Sequence, residues 1–280
     1  MRRTTYVFAL LLLTGCIWAI FNVGGGALLA DSDRSHVPVA PQHDDADIDR
    51  IIFLDEWWDD NLARQIEEDP YYIARDFDAG IAPPPTNSAP ETARDLEALL
   101  AMQENMRTAE NLELIRQEHF VRTSPQSWLA GLGLIPVRPS GYEKLYGLLS
   151  IVNHDVSYVI LRDKWHYKRA RPTQLSESLT AVVPVPPHAA YPSGHGGQSY
   201  AMALILAYLD PEREDIYLST AKEIGRRREI AGVHYESDTR AGQQIAQSVV
   251  GALLENDSFQ RMIPGARQEF LSWVKEQHPE

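Results

Sequence analysis

The sequence predicts an all-α protein, a helical bundle, and three observations carry that prediction. Apolar residues recur at three- and four-residue intervals through most of the second half of the chain. Residues that start and stop helices punctuate those periodic segments, and nothing reads as a series of alternating strands. No internal repeat and no zinc-type cysteine spacing offers a competing architecture.

At 280 residues, with 44% hydrophobic and 23% charged, the chain can bury a substantial core in one globular domain with additional segments. A net charge of −13 argues against nucleic-acid binding, because such a surface repels a phosphate backbone. A small anionic partner would need a local cationic pocket. Cys16 is the only cysteine, so the fold must be held by packing rather than by an internal disulfide.

Taken in order, residues 1–30 join Arg2 and Arg3 to an apolar stretch from Tyr6 to Phe21 and small residues ending at Ala30. That pattern predicts an export signal or membrane anchor, and hence an exported, periplasmic protein. Cleavage after Ala30, retention as an anchor, and lipidation at Cys16 are its three outcomes; Leu13-Thr14-Gly15-Cys16 resembles a bacterial lipoprotein box. No later apolar run approaches the roughly 20 residues that cross a bilayer, so membrane contact is expected only through this segment. Residues 31–80 read as an acidic linker and N-terminal extension. Little order is expected up to Asp49, and Ile51 to Asp69, which mixes Trp57, Trp58 and Leu62 with many carboxylates, reads as a short amphipathic helix packing on the main domain.

Residues 81–280 form the helical domain. Pro83-Pro84-Pro85 is a stiff entry, after which Ser88 and Glu91 stand at capping-box spacing around Pro90. The helix that follows has an apolar face of Leu96, Leu99, Leu100 and Met106. Further helices are expected over about 142–169, 198–208, 212–230 and 239–254.

Three stretches carry chemistry. In the first, Lys164 and Arg171 are seven residues apart, so on one helix they share a face, and Pro172 should end that helix. A guanidinium there suits bidentate phosphate contact, although a solvated basic surface has the same composition. In the second, Tyr191-Pro192-Ser193-Gly194-His195-Gly196-Gly197 precedes an apolar helix. Small residues let backbone N–H groups approach an anion at the helix start, Ser193 adds a hydroxyl and His195 a proton; an ordinary glycine-rich turn is the alternative. In the third, His234 and Asp238 are four apart, so the carboxylate can hold one ring nitrogen and leave the other as a lone pair. Metal ligation by this pair lacks further ligands nearby.

The order and spacing of Lys164 to Arg171-Pro172, Pro192-Ser193-Gly194-His195, and Arg228 to His234 to Asp238 resembles the type 2 phosphatidic acid phosphatase superfamily. Within it, the triple-proline entry and the run from Gly232 to Gly242 are similar to the bacterial class A non-specific acid phosphatases. The resemblance covers roughly Ile81 to Leu254. It implies a helical enzyme that hydrolyses small-molecule phosphate monoesters, with no metal and no other cofactor. By that resemblance His234 attacks phosphorus, Asp238 orients it, and His195 protonates the departing alcohol and then activates water. Lys164, Arg171, Ser193, the Gly194 N–H and Arg228 would hold the phosphoryl oxygens. Phosphotransfer to an alcohol and homo-oligomer formation are compatible with it. Arg227 and Gly196 depart from the family's usual serine and threonine.

Vanadium-dependent haloperoxidases share the constellation, because vanadate mimics phosphate, and a membrane-tethered lipid or isoprenyl phosphate phosphatase is a further alternative. A non-catalytic phosphate-binding module is disfavoured by the two candidate reacting histidines. His119, His154 and His188 have no partner at catalytic spacing and are expected to be structural or superficial. Tyr191 and His166 fit the pocket or the core equally well.

Overall fold

The computed structural model describes residues 45–120 and 125–278, all within one compact unit, Ser35–Glu280. The segment read as an export signal, Cys16 included, and the linker up to residue 44 lie outside the described residues. In chain order the helices are α1 (Asp60–Gln65), α2 (Pro90–Asn105), α3 (Ala109–Phe120), α4 (Pro125–Gly131), α5 (Glu143–Tyr167) and α6 (Pro172–Leu175). They continue with α7 (Gly194–Leu209), α8 (Glu214–Ile230), α9 (Glu236–Glu255), α10 (Asp257–Gln260) and α11 (Ile263–Gln277). Short 3₁₀ turns at Asp45–Arg50, Asp55–Trp57 and Pro211–Arg213 complete the regular structure. The all-α expectation is met: among the described residues the β pairing is an isolated bridge between Ile52 and Arg169.

The sequence of α7 decides the architecture. From Tyr200 to Leu209 it is apolar on nearly every side, and such a helix is stable only when neighbours surround it. It packs against α4, α5, α8, α9 and α11, with Met202, Ile205 and Leu206 fully buried. The neighbours are amphipathic. In α5, Leu145, Leu148, Leu149, Val152, Val156 and Val159 face inward at helical spacing, and in α9 Ile245, Val249 and Leu253 do so.

A close crossing between α7 and α9 sets the position of both motif-bearing helix starts. A Cβ on Gly242 would sit 2.5 Å from the Ser193 carbonyl oxygen, and one on Gly197 would sit 2.8 Å from the Gly242 carbonyl oxygen. Only glycine at both positions lets the backbones approach this closely. The Ser193 N–H then donates to the Asp238 carbonyl over 2.9 Å, joining the two helix starts directly.

Three local expectations change. α5 ends at Tyr167 rather than at Pro172, because Lys168 takes a left-handed conformation (φ 49°) as its C-cap. Arg171 therefore lies beyond the helix, as the N-cap of α6, and Pro172 opens that helix instead of closing the previous one. The capping box at α2 does not form: Ala89 is the N-cap, while Ser88 donates its hydroxyl and N–H to Asp49 (2.5 and 2.8 Å). The segment before α2 is tied to the domain. Phe53 and Trp58 are buried, the Phe53 N–H donates to the Lys168 carbonyl (2.9 Å), and buried Asp155 accepts the N–H groups of Tyr71 and Tyr72 (2.7 and 2.9 Å).

Candidate active site

The loop between α8 and α9 presents His234. It turns at Gly232 (φ +77°), where a Cβ would stand 2.6 Å from the Thr180 carbonyl oxygen, so a side chain is excluded twice over. Asp238, in the first turn of α9, accepts the Tyr235 N–H (3.1 Å) and lies 2.9 Å from His234 Nδ1. On the opposite side of the ring, Arg171 Nη1 lies 3.0 Å from Nε2. A guanidinium can only donate, so Nε2 must accept. The Nδ1 proton therefore points at the carboxylate, and the lone pair on Nε2 faces the cation. Burial first, then Arg171, Lys164 and Arg228, hold the His234 imidazole well below its usual range, so it stays neutral into acidic conditions.

Lys164, His188, Gly194, His195, Arg228 and His234 line one cavity of about 350 Å³. Segments distant in sequence thus meet as the motifs required. Arg171, Ser193 and Asp238 sit immediately behind these residues. Lys164 and Arg228 are each 1% exposed and Arg171 is fully buried, a concentration of positive charge that is costly unless an anion or well-placed acceptors offset it. Backbone carbonyls do part of this. Lys164 donates to Ala189 and Ala190 (2.7 and 2.9 Å), Arg171 to Val233 and His188 (2.6 and 2.8 Å), and Arg228 to Ile115 (3.1 Å). Burial lowers Arg171 to about 9 and Arg228 to about 10, and takes Lys164 well below its usual value. The buried Arg228 Nε donates to no acceptor among the described residues.

Ser193 caps α7, accepting the Gly196 N–H (3.2 Å) on Oγ, so its hydroxyl proton remains available. A Cβ at Gly196 would meet Thr239 Cγ2 and Ser193 Oγ at 3.2 Å, which accounts for glycine where the resemblance expects threonine. His195 stacks on Trp128 (centroids 4.1 Å, planes 12° apart), and its Nε2 lies 3.4 Å from the Glu118 carbonyl oxygen. A carbonyl only accepts, so Nε2 keeps its hydrogen and Nδ1 is left as the exchanging nitrogen. Burial, Arg228 and His234 push His195 well below its usual range.

Several participants were not among the candidate residues. Arg169 donates to Asp238 Oδ1 at 2.6 Å and to Ser237 Oγ at 2.8 Å, and its guanidinium lies 3.9 Å from the centre of the Tyr235 ring. It lies in the first motif stretch, but spacing alone does not separate it from Lys164 and Arg171. His188, expected to be structural or superficial, reaches the cavity, and Arg171 Nη2 lies 2.9 Å from its Nδ1. Glu118, on α3, takes two contacts from Arg227 (2.7 Å from Nε, 2.6 Å from Nη2) and lies 3.8 Å from Arg228. Arg227, where the resemblance expects serine, is thus the partner of a carboxylate that no local pattern marked. Tyr191 is buried against Tyr167, outside the cavity lining. Among the described residues no group of three or more His, Cys, Asp or Glu side chains could hold a metal ion.

A neutral imidazole with an oriented lone pair, enclosed by buried cations and a helix start, is an arrangement chemically suited to receiving an anion beside a nucleophilic nitrogen. Residues 144–258 match the model of the PAP2 superfamily, so the family read from the three motifs is borne out. A non-specific acid phosphatase of Providencia stuartii is 30% identical over 145 residues, 50% of this chain and 58% of that protein. One from Salmonella typhi is 29% identical over 150 residues, 51% of this chain and 59% of that protein. An acid phosphatase of Zymomonas mobilis is 37% identical over 79 residues, 28% of this chain and 30% of that protein. The chain thus spans less than two thirds of the length of these relatives. A solved bacterial vanadium-dependent iodoperoxidase has the same fold, with a TM-score of 0.52 at 18% identity, covering 63% of this chain and 52% of its own.

Proposed function

We propose that the chain is an acid phosphatase that hydrolyses phosphate monoesters through a phosphohistidine on His234. The observation that carries this reading is the polarity of that ring: Nδ1 committed to Asp238 and Nε2, the lone pair, facing Arg171 in a cation-lined cavity. The similarity to acid phosphatases supports it, whereas the iodoperoxidase likeness speaks to fold alone.

The phosphoryl group enters among Lys164, Arg171, Arg228, the Ser193 hydroxyl and the Gly194 N–H. Its oxygens compete for the N–H that Arg171 gives to Nε2, which frees the lone pair for in-line attack. As the P–N bond forms, the ester P–O bond breaks and His195 gives its Nδ1 proton to the leaving oxygen. The imidazolium is balanced by Asp238, itself held by Arg169. Water then attacks phosphorus with His195 as base, the P–N bond breaks, and His234 returns to its neutral state. Each close cation–oxyanion contact is worth about 4 kcal/mol at ~4 Å and an effective dielectric of about 20, before desolvation, so several supply much of the barrier reduction.

Quenching turnover of a labelled ester should trap acid-labile, base-stable phosphate on His234, and His234→Ala should abolish turnover. Phosphate trapped on a hydroxyl or carboxylate, or full activity in that variant, would overturn the reading. Halide oxidation with vanadate and peroxide, assayed in parallel, checks the haloperoxidase alternative. We further propose export through residues 1–30, which the mass of the protein's N-terminus in a periplasmic fraction tests. Among the described residues no helix is long and apolar enough to cross a membrane.

A further inference from the structure

The segment before α2 lies outside the family-matched region, yet it forms one side of the candidate site. Leu62 and Gln65 of α1 line the anion cavity, and Trp58 packs against His188 with ring centroids 6.2 Å apart. Beyond Gln65 the chain turns back along α5. Buried Asp155 fixes that turn by accepting the N–H groups of Tyr71, Tyr72 and Ile73 (2.7, 2.9 and 3.3 Å), and the Tyr158 hydroxyl donates to the Arg75 carbonyl (2.9 Å). Between this turn and α5 lies a groove of about 780 Å³. Gln65, Ser157 and Leu161 line both the groove and the anion cavity, so the two spaces adjoin.

The junction lies on the proton-donor side. Ser157 accepts a hydrogen bond from Gln198 Nε2 (2.7 Å), and Gln198 stands one helical turn after His195 on α7. A leaving oxygen protonated by His195 therefore has the groove beside it. The groove walls carry phenols, an imidazole, amides and hydroxyls, with Glu68 as a carboxylate and no lysine or arginine among the described residues that line it. Such walls favour an uncharged group rich in hydrogen-bonding atoms and disfavour a second phosphate. Tyr71 and His154, with centroids 4.2 Å apart, form an aromatic platform, and Tyr71 is 62% exposed.

We infer that this groove is the leaving-group subsite, and that it selects monoesters of bulky, uncharged, ring-bearing alcohols. The inference rests on the phosphatase reading. It is tested by kcat/KM for a nucleoside 5′-monophosphate relative to glycerol phosphate, in the full chain and in two variants. Tyr71→Ala removes part of the platform from an exposed position and keeps the backbone bond to Asp155. Gly147→Phe fills the groove from α5, where an added Cβ meets nothing within 4 Å. Each variant should lower the nucleotide-to-glycerol phosphate ratio about five- to tenfold, the scale of a lost aromatic contact. A nucleoside 3′,5′-bisphosphate should be a poorer substrate than the monophosphate, and Glu68→Lys should narrow that gap. A ratio unchanged in both Tyr71→Ala and Gly147→Phe overturns the subsite while leaving the phosphatase reading intact. Absence of turnover with every ester in the unsubstituted chain overturns both.

Discussion

Replacing Asp238 by asparagine tests the logic of the site most directly. The carboxylate has two duties: Oδ1 accepts from Arg169 at 2.6 Å, while Oδ2 faces His234 Nδ1 at 2.9 Å and the Tyr235 N–H at 3.1 Å. An amide has one oxygen and cannot serve both sides. With its oxygen toward Arg169, the NH2 group faces Nδ1 and drives the ring to carry its hydrogen on Nε2, where it would confront an Arg171 N–H and could not attack. With the oxygen toward His234, the NH2 group opposes a guanidinium that is 4% exposed. In either case the imidazolium that the proposed phosphorylation of His234 creates loses its countercharge. At ~4 Å and an effective dielectric of about 20 this is about 4 kcal/mol, or roughly a thousandfold in kcat. Arg169 keeps Ser237 and the Tyr235 ring, so the folded state should survive with a stability loss of about 3 kcal/mol. Steady-state turnover of a chromogenic phosphate ester, with thermal unfolding as the control, measures both quantities. A variant that keeps more than about a tenth of wild-type kcat with unchanged thermal stability would refute the assigned role of the pair.

In the proposed mechanism His195 starts protonated, and its pKa is pushed below the usual range, so kcat/KM should fall as pH rises through the acidic range. Bound phosphate favours the imidazolium, so the corresponding fall in kcat should come at higher pH; a kcat/KM that climbs from about pH 5 to pH 8 would contradict the acid role. Glu118→Gln removes a carboxylate 3.8 Å from Arg228 and the charge partner of buried Arg227. Inhibition by inorganic phosphate should tighten several-fold while stability drops by about 3 kcal/mol, as inhibition assays and denaturant unfolding would show. Gly242→Ala should push α9 off α7 and lower both kcat and melting temperature. By contrast Gly251→Ala, where an added Cβ meets nothing within 4 Å, should not destabilise.

The parts of the site that could be read in the sequence share a property: their geometry is local. Four-residue spacing suffices to put Asp238 beside His234, and a Ser-Gly-His run before an apolar segment suffices to mark the start of α7. What could not be read depends on contacts between distant segments. Arg169 is one of four lysines and arginines between Lys164 and Arg171, and only the arrival of α9 singles it out as the partner of Asp238. Glu118 and His188 have no neighbour in sequence that hints at Arg227 or Arg171. The end of α5 at Tyr167 was also hidden, because Pro172 was the visible stop signal while Lys168 adopts a conformation unusual for its residue type. Ser88 shows the converse: a correct capping motif yields when Asp49, far back in the chain, binds the same hydroxyl.

The end of α3 gives the molecule a ceiling borrowed from outside its signature region. The Ile115 carbonyl, midway along α3, holds Arg228, and the Glu118 carbonyl, in the last turn of that helix, faces His195 near its negative pole. A polypeptide trimmed to the family-matched stretch would keep every atom of the proposed reaction and lose this roof, leaving Arg228 and His195 without the carbonyls that α3 offers them. Possession of the signature is therefore a poor guide to the smallest working fragment of this chain.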